Sequence, residues 1–334
     1  MSKQKFRDLD YLYLSAYIAA KQPRMLSMSL CERMLDAAGY AECAKMLEDC
    51  GYPDMSEMRA PEIEAVLAAR RDAVFAELAQ MSPCRELVDI FRCKYDYHNA
   101  KALIKAEGVN EDAVHLLSGS GRMQAQAMCD AYHEEHYDAM PGTMGRAVEN
   151  ARGILARTEN PQLADFELDS AYFAELRALA EVTGSAFIKG YVKVMIDSAN
   201  LRSAVRTLRM GRGTDFLRQA LVPGGDYSAE SIVQNAASAE SLAALFSTGA
   251  LRPAAELVAE AVGGKGLTGF EKACDNCVSK YLAGARLQCF GEAPVIAYIA
   301  AVENEISAAR MILTGRLSGV PAELIKERLR ELNA

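Results

Sequence analysis

Three short stretches carry residue types that chemistry uses. Gly264-Lys265-Gly266-Leu267-Thr268-Gly269 spells GxGxxG. That pattern cradles a dinucleotide only when it leads from a strand into a helix. Here the preceding Ala254 to Val262 reads as helix, so the stretch is expected to be a loop. Cys274 and Cys277 form a CxxC. A zinc site wants a second pair, and Cys289 alone is not one. A redox CxxC wants a βαβ context, and none is apparent. Two cysteines on a buried helix face are expected instead. His133-Glu134-Glu135-His136 spaces its histidines at i and i+3, not at the i and i+4 of HExxH. A solvated helix face is expected there. No P-loop and no GxSxG elbow occurs, and four histidines leave few general bases. The sequence makes no case for catalysis, a cofactor or a bound metal, so a non-enzyme is expected.

A fourth pattern gains weight by recurring. Asp96, Asn99 and Lys101 spell acid, two residues, Asn, one residue, base. Asp197, Asn200 and Arg202 repeat it 101 residues on. Glu305 and Arg310 repeat it after 108 more, with Ala308 at the Asn position. Each copy runs on into a glycine: Gly108, Gly211 and Gly315. The segments after the first two end alike, in Leu117-Ser118-Gly119-Ser120-Gly121 and Leu221-Val222-Pro223-Gly224-Gly225. A pattern at near-constant spacing implies repeated architecture. Three related helical modules are expected, at 1–121, 122–226 and 227–334. On a helix, acid i and Asn i+3 share a face. The stripe then has two readings. Either it holds neighbouring modules in register, or polar side chains from three modules line a shared opening. Under the second, reversing the charge of Asp96, Asp197 and Glu305 weakens binding of whatever enters that opening, with the fold intact.

The elements that position the stripe read as helices. One of about 25 residues runs from Ser82-Pro83 to Gly108 and carries the first copy. Others run from about Ser185 to Met210 and from Pro294 to about Thr314. Ser29 with Glu32 resembles a capping box, and Asn160-Pro161 a helix start. Asn110 is expected to cap a short segment. Continuous helices are expected over Arg122–Met140, Ala229–Phe246 and Pro253–Val262. β-branched runs are short and no Asn-Gly or Asp-Gly turn joins alternating segments. The expected class is all-α.

Composition narrows the rest. The 334 residues are 51% hydrophobic and 25% charged, enough for two or three cores. The net charge of −8 argues against nucleic acid, which needs a basic face. No run of 18 apolar residues exists, and Met1-Ser2-Lys3-Gln4-Lys5 leads into a charged segment. Neither a membrane span nor a signal peptide is expected. Nine cysteines without a framework spacing fit a reducing, cytoplasmic setting.

Taken together, several stretches resemble the C subunit of the V/A-type ATPases, whose counterpart in the vacuolar enzyme is the d subunit. They are Lys94 to Lys101, Asp165 to Phe173, Asp197 to Arg202, Leu221 to Asp226, Phe290 to Pro294, Glu303 to Arg310, and Gly315-Arg316-Leu317. The resemblance spans about Leu9 to Leu332, with little of it in Arg122–Thr158. It implies three modules around a pseudo-threefold axis, funnel-like, with no catalytic role of their own. It implies that the mouth receives the central shaft formed by the D and F subunits. It implies that the base sits on the membrane proteolipid ring, peripheral to the membrane. The chain would then pass torque in ATP-coupled proton or sodium transport. The alternative is a free-standing helical scaffold for other cytoplasmic proteins.

Overall fold

A computed structural model describes residues 7–109 and 111–332, except the side chain of Arg286. The expected Asn110 cap and the Met1–Lys5 stretch lie outside the described residues. The fold is all-α, with no strand among those residues. Its helices are α1 (Leu12–Lys21), α2 (Met28–Asp36), α3 (Tyr40–Lys45), α4 (Ala60–Met81), α5 (Glu86–Val109), α6 (Ala125–His133), α7 (Met144–Thr158), α8 (Pro161–Thr183) and α9 (Ala186–Arg209). There follow α10 (Thr214–Ala220), α11 (Ala229–Asn235), α12 (Ala239–Leu245), α13 (Arg252–Ala255), α14 (Val258–Val262), α15 (Leu267–Ala283), α16 (Glu292–Leu317) and α17 (Ala322–Arg328).

The three copies of the stripe lie on α5, α9 and α16, which are 24, 24 and 26 residues long. Their ends follow from local chemistry. The Ser185 hydroxyl accepts from the Ile188 N–H at 3.3 Å and starts α9. Gly184, at φ +70°, lets the chain reverse out of α8. The Asn160 side chain accepts from the Gln162 N–H at 3.0 Å, with Pro161 opening α8.

Several expected boundaries move. Ser27, not Ser29, caps α2, because its hydroxyl accepts from the Leu30 N–H at 3.2 Å. The helix expected over Arg122–Met140 ends at His133, where Glu135 turns to φ +58°. Ser238 restarts the chain at α12 by accepting from Ser241 N–H at 3.1 Å, which splits Ala229–Phe246. Pro253–Val262 likewise divides into α13 and α14.

The chain forms two compact units. One is Arg85–Thr248. Within it α8 packs most extensively on α5 and α7, over a core that includes Phe91, Leu168, Leu176 and Ile196. The other comprises the described residues of Phe6–Cys84 and Gly249–Ala334. Its axis is α16, packed chiefly on α4, and Ile63, Leu67, Ile299 and Ile306 are among its buried residues. The N-terminal and C-terminal parts of the chain therefore share one core. Among the described residues no helix is long and apolar enough to cross a membrane.

Candidate functional site

Gly264–Gly266 joins α14 to α15 and Leu267–Gly269 forms the first turn of α15, so only the first half of the stretch is a loop, and a helix and not a strand precedes it. Cys274 and Cys277 are both buried on α15, and burial pushes the Cys277 thiol up. His133 ends α6 and contacts the Cys129 carbonyl through Nδ1 at 2.8 Å, while His136 lies beyond the helix beside Glu134. The two histidines do not share a helical face.

The repeated stripe is where the structure concentrates buried polarity. Asp96, Asn99, Asp197, Asn200 and Glu305 are all buried on their helices. In the first copy, Asp96 Oδ1 accepts the backbone N–H groups of Arg122 at 2.9 Å and Met123 at 3.3 Å. Asn99 pairs both ways with one residue. Its Nδ2 donates to the Ser118 carbonyl at 2.8 Å, and its Oδ1 accepts the Ser118 N–H at 2.7 Å. The second copy repeats this on α9. Asp197 accepts the N–H groups of Asp226 at 3.0 Å and Tyr227 at 3.4 Å. Asn200 pairs with both backbone groups of Val222 at 2.8 Å. One turn of helix thus satisfies several backbone groups of an irregular loop, which burial would otherwise leave unpaired at a cost of about 1–3 kcal/mol each.

The third copy uses different chemistry for the same purpose. Glu305 accepts the Leu26 N–H at 2.8 Å and the Tyr52 hydroxyl at 2.7 Å, with Arg70 Nη2 at 3.9 Å. Ala308 supplies no amide. The gripped residue lies 279 positions earlier in the chain. Each long helix thus holds a loop, and the third holds one near the start of the chain.

Two glycines make room for the shorter acids. A Cβ on Gly121 would sit 2.2 Å from Asp96 Oδ1, and one on Gly225 would sit 1.9 Å from Asp197 Oδ1. Neither glycine occupies the left-handed region, so space and not conformation requires it. Gly225→Ala is expected to destabilise the fold by about 1–3 kcal/mol in urea unfolding. Pairing it with Asp197→Ala should cost less than the sum of the two single changes, because the clash is with that carboxylate. Strict additivity would contradict this contact.

The basic members of the stripe differ from the acids. Lys101 Nζ meets Asp169 of α8 at 2.6 Å. Arg310 Nε reaches both carboxylate oxygens of Glu64 on α4, at 2.7 and 2.8 Å. Arg202 is half-buried on α9. Two of the three bases therefore tie a repeat helix to a neighbour in its own unit.

Residues outside the stripe complete the first clamp. Arg122 Nε donates to Asp96 Oδ2 and its Nη1 to Glu175 Oε1, both at 2.6 Å. The Tyr97 hydroxyl donates to Glu175 Oε2 at 2.9 Å. Arg122 and Glu175 carried no sequence signal. Gly121 and Gly225 did, through the similar endings of their two loops.

Burial pushes all three acids up. For Asp96, Arg122 and the loop N–H groups oppose that shift. For Glu305, the Leu26 N–H and Tyr52 hydroxyl oppose it. Asp197 rises to about 6, opposed mainly by the two backbone N–H groups. In the unfolded chain an Asp titrates near about 3.9. Between those values the folded chain holds the proton and the unfolded chain does not. The contribution of Asp197 therefore improves as pH falls from above 6 toward 4 and worsens as pH rises through that window. Relative to Asp197→Asn, the native chain should gain about 1 kcal/mol between about pH 7 and about pH 5, measured by urea unfolding. An unchanged difference between the two proteins would contradict it.

These acids are occupied and enclosed, so they clamp the fold and do not face an opening. Reversing their charge would direct a cation at backbone N–H groups inside the protein. The expected outcome is loss of the fold, in place of a folded protein with weakened binding.

Residues 14–328 match the family described as ATP synthase (C/AC39) subunit. The chain is 24% identical to the C subunit of the V-type sodium ATPase of Enterococcus hirae, over 81% of this chain and 83% of that one. It is 23% identical to the C subunit of the A-type ATP synthase of Methanocaldococcus jannaschii, over 96% and 86%. It is 22% identical to the C subunit of the V-type ATP synthase of Thermus thermophilus, over 66% and 73%. With its repeat helices, its loop clamps and a match over nearly its whole length, this chain belongs to the ATP synthase (C/AC39) subunit family.

Proposed function

We propose that this chain is a non-catalytic adaptor in the central stalk of a V/A-type rotary ATPase. It joins the shaft of D and F subunits to the membrane proteolipid ring and passes torque between them. ATP turnover is thereby coupled to proton or sodium movement, with the ion chosen by the ring. The chain sits at the cytoplasmic side of the membrane, peripheral to it and without a cofactor. Its three modules, 1–121, 122–226 and 227–334, stand around a pseudo-threefold axis as a funnel.

The observation that carries this reading is the family match over residues 14–328. The clamps support the mechanics. A part that transmits torque must not yield between its two interfaces, and close-packed cores transmit strain. Asp96 and Asp197 grip the loops at Arg122–Met123 and Asp226–Tyr227. Those loops fall at the two module boundaries, and Glu305 grips a loop near the start of the first module. Asp96, Asp197 and Glu305 thus serve as joints between modules, while Asn99 and Asn200 pin loop ends within their own modules. Lys101 and Arg310 tie their helices to neighbours, and the five buried residues are not a surface for the shaft.

The test is binding of the purified chain to a purified D–F shaft by size exclusion or calorimetry. A one-to-one complex is expected. Absence of a complex, with the shaft folded, would replace this reading with the helical scaffold.

A further inference from the structure

The Arg85–Thr248 unit carries a cleft that the clamps do not use. It lies between the second half of α8 and the first turns of α9 and holds about 340 Å³. Alanines on α8 leave that space open. Gly224 closes one side, from the loop whose Asp226 and Tyr227 N–H groups Asp197 accepts. Arg177, Lys189 and Lys193 line the cleft, against the single carboxylate of Glu181. The whole chain carries a net charge of −8, so this local excess of cations runs against its composition.

Arg177 is held in position and keeps donors in reserve. A Cβ on Gly224 would come within 2.6 to 2.9 Å of Arg177 Cδ, Nε and Cζ, and Gly224 itself turns to φ +108°. An L side chain rarely takes that backbone, and here it would also displace the guanidinium. Arg177 Nη1 donates to the Pro223 carbonyl at 3.3 Å, and among the described residues no carboxylate pairs with it. Lys189 and Lys193 stand one turn apart on α9. Their partners, Glu181 at 2.6 Å and Asp226 at 2.8 Å, are more than half exposed and can turn out into water. Exposed pairs of this kind contribute little and exchange readily. We propose that this cleft binds a phosphate group. A guanidinium fork and two ammonium groups suit an anion whose oxygens point in several directions, whereas a carboxylate presents two oxygens in one plane. The volume is near the lower bound of about 300 Å³ for ligand sites, so the ligand is a free phosphate ion or a small phosphate ester. Bound there, it links α8 and α9 to the loop that Asp197 grips.

The experiment titrates the purified chain with inorganic phosphate and with glycerol phosphate, by calorimetry at an ionic strength fixed with sodium chloride. Four proteins are compared: the native chain, Arg177→Gln, Lys189→Gln/Lys193→Gln, and Arg218→Gln. Arg218 is an exposed cation on α10 outside the cleft lining and controls for general charge. Thermal unfolding checks that each protein folds. Should Arg177→Gln fail to fold, Arg177→Lys decides, because it keeps the charge and loses the fork. The expected result is saturable one-to-one binding by the native chain and by Arg218→Gln. Affinity should fall at least tenfold in Arg177→Gln and in the double lysine variant. The probe that binds more tightly distinguishes a free ion from an ester. No saturable binding of either probe overturns the proposal. So does an equal loss in Arg218→Gln, which would reduce the effect to general charge. Native affinity in both cleft variants overturns it too, by placing the phosphate elsewhere. None of these outcomes bears on the adaptor reading, which the D–F shaft tests separately.

Discussion

Arg122→Leu is expected to destabilise the Arg85–Thr248 unit by about 3–5 kcal/mol, more than any other single polar change in that unit. Arg122 stands between two carboxylates that have little access to water, with side chains of Asp96 and Glu175 exposed to 0% and 7%. It contacts each at 2.6 Å. Leucine fills much of the volume but leaves both charges enclosed without a cation. The cost of breaking such a pair comes mainly from the charge left behind. The loss should also depend on pH in a defined direction. Burial already pushes the Asp96 carboxyl up, and the Arg122 guanidinium holds it back. Without Arg122 the Asp96 value rises further, so the folded variant takes up a proton at higher pH. The difference from the native protein is therefore largest near neutral pH and shrinks as pH falls toward 5. Arg122→Lys should cost less, about 1–2 kcal/mol, because one ammonium keeps the charge but cannot span both carboxylates. Urea unfolding at two pH values measures all of this. A pH-independent loss in Arg122→Leu would mean that packing, not charge, holds the clamp.

Glu305→Ala is expected to destabilise the other unit by about 2–4 kcal/mol. It strands the Leu26 N–H and the Tyr52 hydroxyl, both of which donate to this one carboxylate. It also removes the acid facing Arg70 at 3.9 Å and opens a cavity in the middle of α16. Glu305→Gln retains one oxygen to accept a bond and should lose about 1–2 kcal/mol. Tyr52→Phe should lose about 1 kcal/mol, and combining it with Glu305→Ala should add little. The consequence reaches along the chain, since the grip spans 279 positions. Hydrogen exchange at the Leu26 amide should accelerate in Glu305→Ala well before the fold as a whole opens. Protection of that amide equal to the native level would show that packing against α16 suffices without the carboxylate.

Much of this architecture was legible in the chain. The long helices could be placed because their ends carry local signals, such as Ser185 before α9 and Asn160-Pro161 before α8. The boundaries that moved did so for reasons that spacing does not encode. Glu135 adopts a left-handed backbone that few non-glycine residues take, and it ends α6 within a stretch that reads as helix. The spacing of Asp96 to Asn99 and Asp197 to Asn200 already placed each pair on one helical face. What that face touches could not be read. Its polarity suited either a contact that holds modules in register or the lining of a shared opening, and the structure turns it inward onto backbone. The third copy looked degraded in sequence, with Glu305 for Asp and Ala308 for Asn. In the structure the longer acid reaches a loop without a glycine, and Tyr52 supplies a further donor.

Residue order alone was enough for the all-α class, the three repeat helices and the register of their polar residues. Each of these depends on neighbours within a turn or two of helix. Packing in three dimensions was needed to settle what the acids hold, that Arg122 joins Asp96 to Glu175, and that the last repeat helix closes on the beginning of the chain. Those outcomes depend on which backbone N–H groups are carried into the interior without a partner. That is a property of the assembled core, and no local stretch of residues records it.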